Sequence, residues 1–141
     1  MRPHQAVGFT LINSSAVTNI TTSARIWHGT RPQASSASAL PCINFYEVSN
    51  NRQNGIESQS FSINCRAVTA DTAIVLANKV VDLFCGSSGT GIYGDAGTAG
   101  NPFSIARASL RNIGGLIPEP DSVCYNVPVD IMLVYGADAV T

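Results

Sequence analysis

Two histidines, four cysteines and nine carboxylates are the side chains here suited to proton transfer, bond making or metal binding. A nucleophile–base pair needs a histidine beside a serine or cysteine, and only His4 and His28 are available. His4 falls in a stretch expected to be a loose terminus. His28 closes a short strand beside Trp27 and Gly29, where a turn or interface role is expected. No G-x-S-x-G elbow occurs. Acid–base hydrolysis needs two carboxylates at one site. Asp71, Asp82, Glu119 and Asp121 instead fall at element ends and in turns, where solvated charge is their expected role.

Cys42, Cys65, Cys85 and Cys124 are spaced 23, 20 and 39 apart, without the close pairs of zinc knuckles. Ligands from histidine and cysteine would have to come from distant elements, so no metal site is expected. Thiols in a reducing cytoplasm are the expectation, with Cys42–Cys65 pairing across a hairpin left open. The glycine-rich run 86–102 has neither G-x-G-x-x-G nor G-K-[ST]. It also follows a helix, whereas phosphate-cradling loops follow a strand. Neither catalysis nor a cofactor is expected.

The bulk numbers agree with a binding or building role. Charged residues make up 12% of the 141, about half the usual fraction. A formal net charge of −1 gives little repulsion between copies. Such a surface fits a protein largely covered by neighbours. The basic residues are seven Arg and Lys79, which form no cluster, so no dedicated nucleic-acid grip is expected. No run of 18 apolar residues occurs, so no membrane span is expected.

Periodicity places the elements. Residues 5–20 suggest a short helix broken near Asn13-Ser14-Ser15. Ala24 to Trp27 reads as a first strand, and 29–41 as a polar loop. Cys42 to Val48 is rich in β-formers. Asn54-Gly55 tolerates the positive φ of a tight hairpin turn. From Phe61 a return strand alternates, with Phe61, Ile63, Cys65 and Ala67 on one face. Thr69 to Phe84 is the strongest helix, with Thr69 as N-cap and Asp71 in the first turn. Its stripe is Ala73, Leu76, Ala77, Val80, Leu83 and Phe84, and Gly86 stops it. Phe103 to Ile113 reads as one strand, with Phe103 and Ile105 facing away from Ala108 and Leu110. Pro118 and Pro120 hold an extended turn. Val127 to Tyr135 is the last strand, with Pro128 at an edge or at strand entry. The tail after it should fray. The sum is an α+β fold: a two-layer sandwich whose mostly antiparallel sheet of about five strands carries two helices on one face. One domain spans 1–141, with flexible loops near 29–41 and 86–102.

The R-I-W-H-G strand, the segment TRPxxxxxxxxLPCINFYEVS and the return strand GIESQSFSINCRA resemble the phage tail-completion or tail-terminator family. The resemblance covers roughly residues 20–134. It implies a virion protein and no enzyme: a six-subunit ring that caps the tail tube and joins it to the head connector. Partners would be copies of itself, the tail tube protein and the connector or stopper protein. DNA would pass through the lumen without specific binding, and assembly would occur in the host cytoplasm. A head–tail stopper is the close alternative, and a host accessory binding module a more distant one. By analogy, the contact elements are the hairpin tip 49–55, with Arg52, Asn54 and Gly55, and the arm 86–100, with Ile92 and Tyr93. Arg31, Arg66, Arg107 and Arg111 join Arg52 as candidates for intersubunit pairing.

Overall fold

A computed structural model describes residues 1–29, 40–86, 94–95, 97–98, 100–119 and 124–136. Its central feature is a long hairpin. Strand β2 (Cys42–Gln53) turns through Asn54 (φ 53°) and Gly55 (φ 77°) into β3 (Ile56–Ala67). Two consecutive positive-φ residues match the right-handed twist of the flanking strands, as two-residue hairpins require. Both arms outrun the expected strands, which stopped at Val48 and began at Phe61. Ser49–Gln53 and Ile56–Ser60 carry little apolar alternation. They are strand because each pairs, and β3 also pairs over its whole length with the last strand, Cys124–Gly136.

Strand β8 (Cys124–Gly136) is the sheet's second long element, and it begins three residues earlier than expected. The expected face is buried: Val127, Val129, Ile131, Leu133 and Tyr135 are at most 4% exposed. The sheet order is β1–β2–β3–β8–β6, with β1 (Ile26–His28) parallel to β2 and β6 (Arg107–Ile113) antiparallel to β8. β7 (Ile117–Glu119) also pairs with β8, so the expected turn at Pro118 is instead a continuation of the β6 edge. A separate two-residue ladder joins β4 (Gly94–Asp95) and β5 (Ser104–Ile105).

Two expectations for this half of the chain are corrected. Phe103, Ile105 and Ala108 are all buried, although parity put Ala108 on the opposite face. A bend at Ala106 separates β5 from β6 and resets the alternation. Pro128 lies inside β8, opposite Asn64 of β3. Its carbonyl accepts from the Gly114 N–H at 2.8 Å, so that side of the residue faces the interruption between β6 and β7. A ladder donor is not needed there, which is why an interior proline is tolerated. A Cβ on Gly114 would lie 2.4 Å from Pro128 Cγ, so the interruption needs glycine.

The helices cover one face. α1 (Pro3–Ile12) and the short α2 (Ser15–Thr18) are divided at Asn13 and Ser14, near the expected break. α3 (Ala70–Cys85) has Thr69 as N-cap, whose hydroxyl accepts from the Thr72 N–H at 3.3 Å. Its buried residues are Ala73, Leu76, Ala77, Val80 and Phe84, and Gly86 closes it. One apolar core joins this stripe to Val7 and Leu11 of α1 and to the inward residues of β2, β3 and β8. Ile43 pairs with Cys65 and Cys42 with Arg66, so the two cysteines point to opposite faces of the sheet. None of the four cysteines is in a disulfide. This is the expected two-layer α+β sandwich.

Candidate functional site

The most concentrated chemistry lies where α1 meets the β1–β2 edge. Pro3 opens α1 with a fixed φ and no N–H to satisfy, and the Gln5 Oε1 accepts from the Arg2 N–H at 2.8 Å. The first turn is thereby formed and holds His4, where a loose terminus was expected. Parallel pairing sets His28 opposite Phe45, two residues before Glu47. His28 Nε2 lies 2.8 Å from Glu47 Oε1, and His4 Nδ1 lies 3.7 Å from the same oxygen. The two imidazoles stack with centroids 4.3 Å apart and planes 11° from parallel. Burial, then the neighbouring His28, hold His4 below its ordinary pKa; Glu47 opposes this. Three groups from three elements therefore converge, an arrangement that spacing along the chain did not reveal.

Beside this cluster the hairpin and the end of β8 wall a recess of about 520 Å³ lined by Arg2, His4, His28, Glu47, Asn50, Arg52, Glu57, Gln59 and Tyr135, among others. The β-bulge at Val48, between the Glu47–Phe61 and Ser49–Ser60 pairs, turns Asn50 and Arg52 to the recess side. Arg52 forms an ion pair with the nearly buried Glu57, its partner across the hairpin. The Tyr135 hydroxyl donates to Gln59 Oε1 at 3.0 Å and also lies in reach of Glu57. Hydrogen bonding from Tyr135, then from Arg52, holds the Glu57 carboxyl below its usual range; burial and the Glu57 charge raise the Tyr135 phenol. Among the described residues no hydroxyl or thiol bonds to either histidine, so the recess offers ligand atoms and fixed charges without an activated nucleophile.

The sheet face without helices carries a polar network. Arg66 donates to Glu119 at 3.1 and 3.4 Å and to the Asn44 carbonyl oxygen. Asn44 Nδ2 in turn donates to the Gly29 carbonyl at 3.0 Å. Asn126 Nδ2 donates to Asn64 Oδ1 at 3.0 Å, and both side chains are buried. Four strands, β2, β3, β7 and β8, and the chain after β1 are thus tied together by hydrogen bonds, beside a small apolar cluster of Leu40, Cys42 and Cys124 with Trp27 against it.

Both sheet edges are open among the described residues. On one side β1 covers only Ile43–Phe45 of β2, leaving its distal half unpaired among the described residues. On the other, nothing described pairs outside β6 and β7. Leu110, Ile113, Leu116 and Ile117 stand along that edge at 39, 43, 40 and 45% exposure. An apolar strand edge is a template for pairing with another chain.

The sequence-predicted contact residues fall into three groups. Arg31, Ile92 and Tyr93 lie outside the described residues, as do most of the two expected loops and the tail. Arg52 and Arg66 are engaged within the chain. Asn54 and Gly55 form the exposed tip; Arg107 is exposed on β6 with no described partner, and Arg111 donates to Ser60 Oγ at 3.2 Å. The edge apolar residues and the His4–His28–Glu47 cluster were missed. Ile113, Leu116 and Ile117 carried a signal, being large apolar residues around a Gly-Gly break, but Ile113 was read only as the end of a strand and the segment around Pro118 as a turn.

No protein-family model matches the sequence, and a search of curated proteins found no sequence relative. Among solved structures, a chain from the virion of a native gene transfer agent (GTA) particle has the same fold. The TM-score is 0.61, at 10% identity, over 95% of this chain and 94% of that one. At that identity the likeness is one of fold.

Proposed function

We propose that the chain is a structural virion protein that acts as a tail terminator: a ring of identical subunits that caps the tail tube and joins it to the head connector. The end-to-end correspondence in fold with a chain of a virion particle carries this reading. The sequence resemblance to tail-completion proteins, the low surface charge and the two open edges of one sheet support it. A ring closes through heterologous contacts, one surface of each subunit meeting a different surface of the next. An apolar β6–β7 edge on one side and a distal β2 edge that no described residue pairs with on the other suit that arrangement. Arg107 and the hairpin tip at Asn54-Gly55 are exposed and stand as contact candidates, with Arg31, Ile92 and Tyr93. Growth of the tube would stop because the ring's far face offers no site for another tube subunit. DNA would traverse the lumen without base-specific contacts, in keeping with the lack of a basic cluster.

The test is native mass by light scattering, with negative-stain images of the same peak, followed by addition to assembling tube protein. A closed ring of about six subunits that halts tube growth is expected. A ring that binds the connector and leaves tube growth unchanged would assign the chain to the neck as a stopper. A monomer that associates with neither tube nor connector would overturn the virion reading and favour an accessory binding module.

A further inference from the structure

We propose that His4, His28 and Glu47 form a binding site for a borderline divalent transition-metal ion, Zn²⁺ being the best match, that pins α1 to the sheet. The ligand atoms are two imidazole nitrogens and one carboxylate oxygen, all within 4.8 Å of one another. Tetrahedral zinc with bonds of about 2.0–2.1 Å sets its ligand atoms roughly 3.3 Å apart. The distances here, 2.8 Å from His28 Nε2 and 3.7 Å from His4 Nδ1 to Glu47 Oε1, straddle that spacing. Closing the set would turn at least one imidazole out of the present stack, because in-plane lone pairs of near-parallel rings do not converge; the partly exposed side chains leave room for that rotation. Imidazole nitrogens select zinc, nickel or copper over calcium or magnesium, which prefer all-oxygen shells.

The side chains remain 30, 41 and 36% exposed, so an ion can enter and a fourth position would face the recess. With an ion bound, water would take that position in a free chain, and a donor atom from a partner could replace it.

The three ligands come from α1, β1 and β2, so the bound ion would cross-link the helix to the short parallel strand and the hairpin. This is a structural site, and the virion reading neither requires it nor fails with it.

The experiment is calorimetric titration of ZnCl₂ into the full chain free of any polyhistidine tag, with thermal unfolding followed in parallel. The expected result is one Zn²⁺ per chain and a rise in the unfolding midpoint with added metal. Removing a ligand in His28→Gln or Glu47→Gln should weaken binding at least about tenfold, since even outer-shell partners are worth that much. His4→Gln should do the same without unfolding the chain, because the position is partly exposed. Asp82→Asn, on the outer face of α3, should bind as the parent does. Absence of heat and of a midpoint shift in the parent would overturn the proposal. So would equal zinc affinity in the parent and all three ligand variants, which would place the ion on the cysteines.

Discussion

Replacing Ile113 and Leu116 together by lysine tests the edge on which assembly is argued to depend. Fully burying a leucine or isoleucine is worth about 1.5–3 kcal/mol. Leu110, Ile113, Leu116 and Ile117 expose 39–45% of their surface, so covering each would contribute roughly 0.6–1.3 kcal/mol and all four roughly 2.5–5 kcal/mol per interface. Ile113→Lys/Leu116→Lys removes about half, roughly 1.2–2.6 kcal/mol, which is about 7- to 70-fold in each association constant. Around a closed ring this loss recurs at every interface, so the double variant should sediment as a monomer where the parent is assembled. Exposed positions outside the core usually change stability by less than about 0.5 kcal/mol, so its urea midpoint should match the parent's. Ile74→Lys/Val75→Lys on α3 is the control, since those residues are equally exposed at 42 and 45%. Sedimentation velocity over a concentration series reads the outcome. The reasoning is refuted if the edge variant assembles like the parent, or if the helix variant is the one that falls apart.

Gly114→Ala should cost about 1–3 kcal/mol in urea unfolding, because its Cβ would sit 2.4 Å from the Pro128 ring; Gly115→Ala, with open space around it, should cost little. Arg66→Met leaves Asn44 Oδ1 without its donor and Glu119 with only the Cys124 thiol at 3.5 Å, and should lose about 1–3 kcal/mol; adding Glu119→Gln should recover part of that, read by chemical denaturation of the cycle. The Glu57 carboxyl is held below its ordinary value of 4.5 by Tyr135 and Arg52. In a folded chain the proton is therefore bound later than in an unfolded one, so this stabilisation is present above pH 4.5 and is lost as the pH falls through the lower folded value. Tyr135→Phe, which removes the first of the two donors, should flatten the acid limb of a stability–pH profile measured by thermal unfolding.

Local chemistry alone determined much of this molecule. Asn54-Gly55 specifies a two-residue turn because few other pairs accept two successive positive φ angles. Thr69, the stripe from Ala73 to Phe84 and Gly86 specify α3, since cap, 3.6-residue period and stop all agree. The alternation from Val127 to Tyr135 fixed which face of β8 is inside. The architecture followed from these parts.

What the sequence left open depends on neighbours distant along the chain. Ser49–Gln53 and Ile56–Ser60 have no strand pattern of their own and become strand through the ladder with each other and with β8. Ile117–Glu119 contains a proline and reads as a turn, yet β8 supplies a partner, and the interruption at Gly114 accommodates Pro128. The His4–His28–Glu47 cluster exists only because α1 packs on β1 and β1 pairs in parallel with β2. A parallel register between short segments leaves no periodic trace in either one. Only the folded sheet decides which side chains meet at its edge and which backbone groups remain open there.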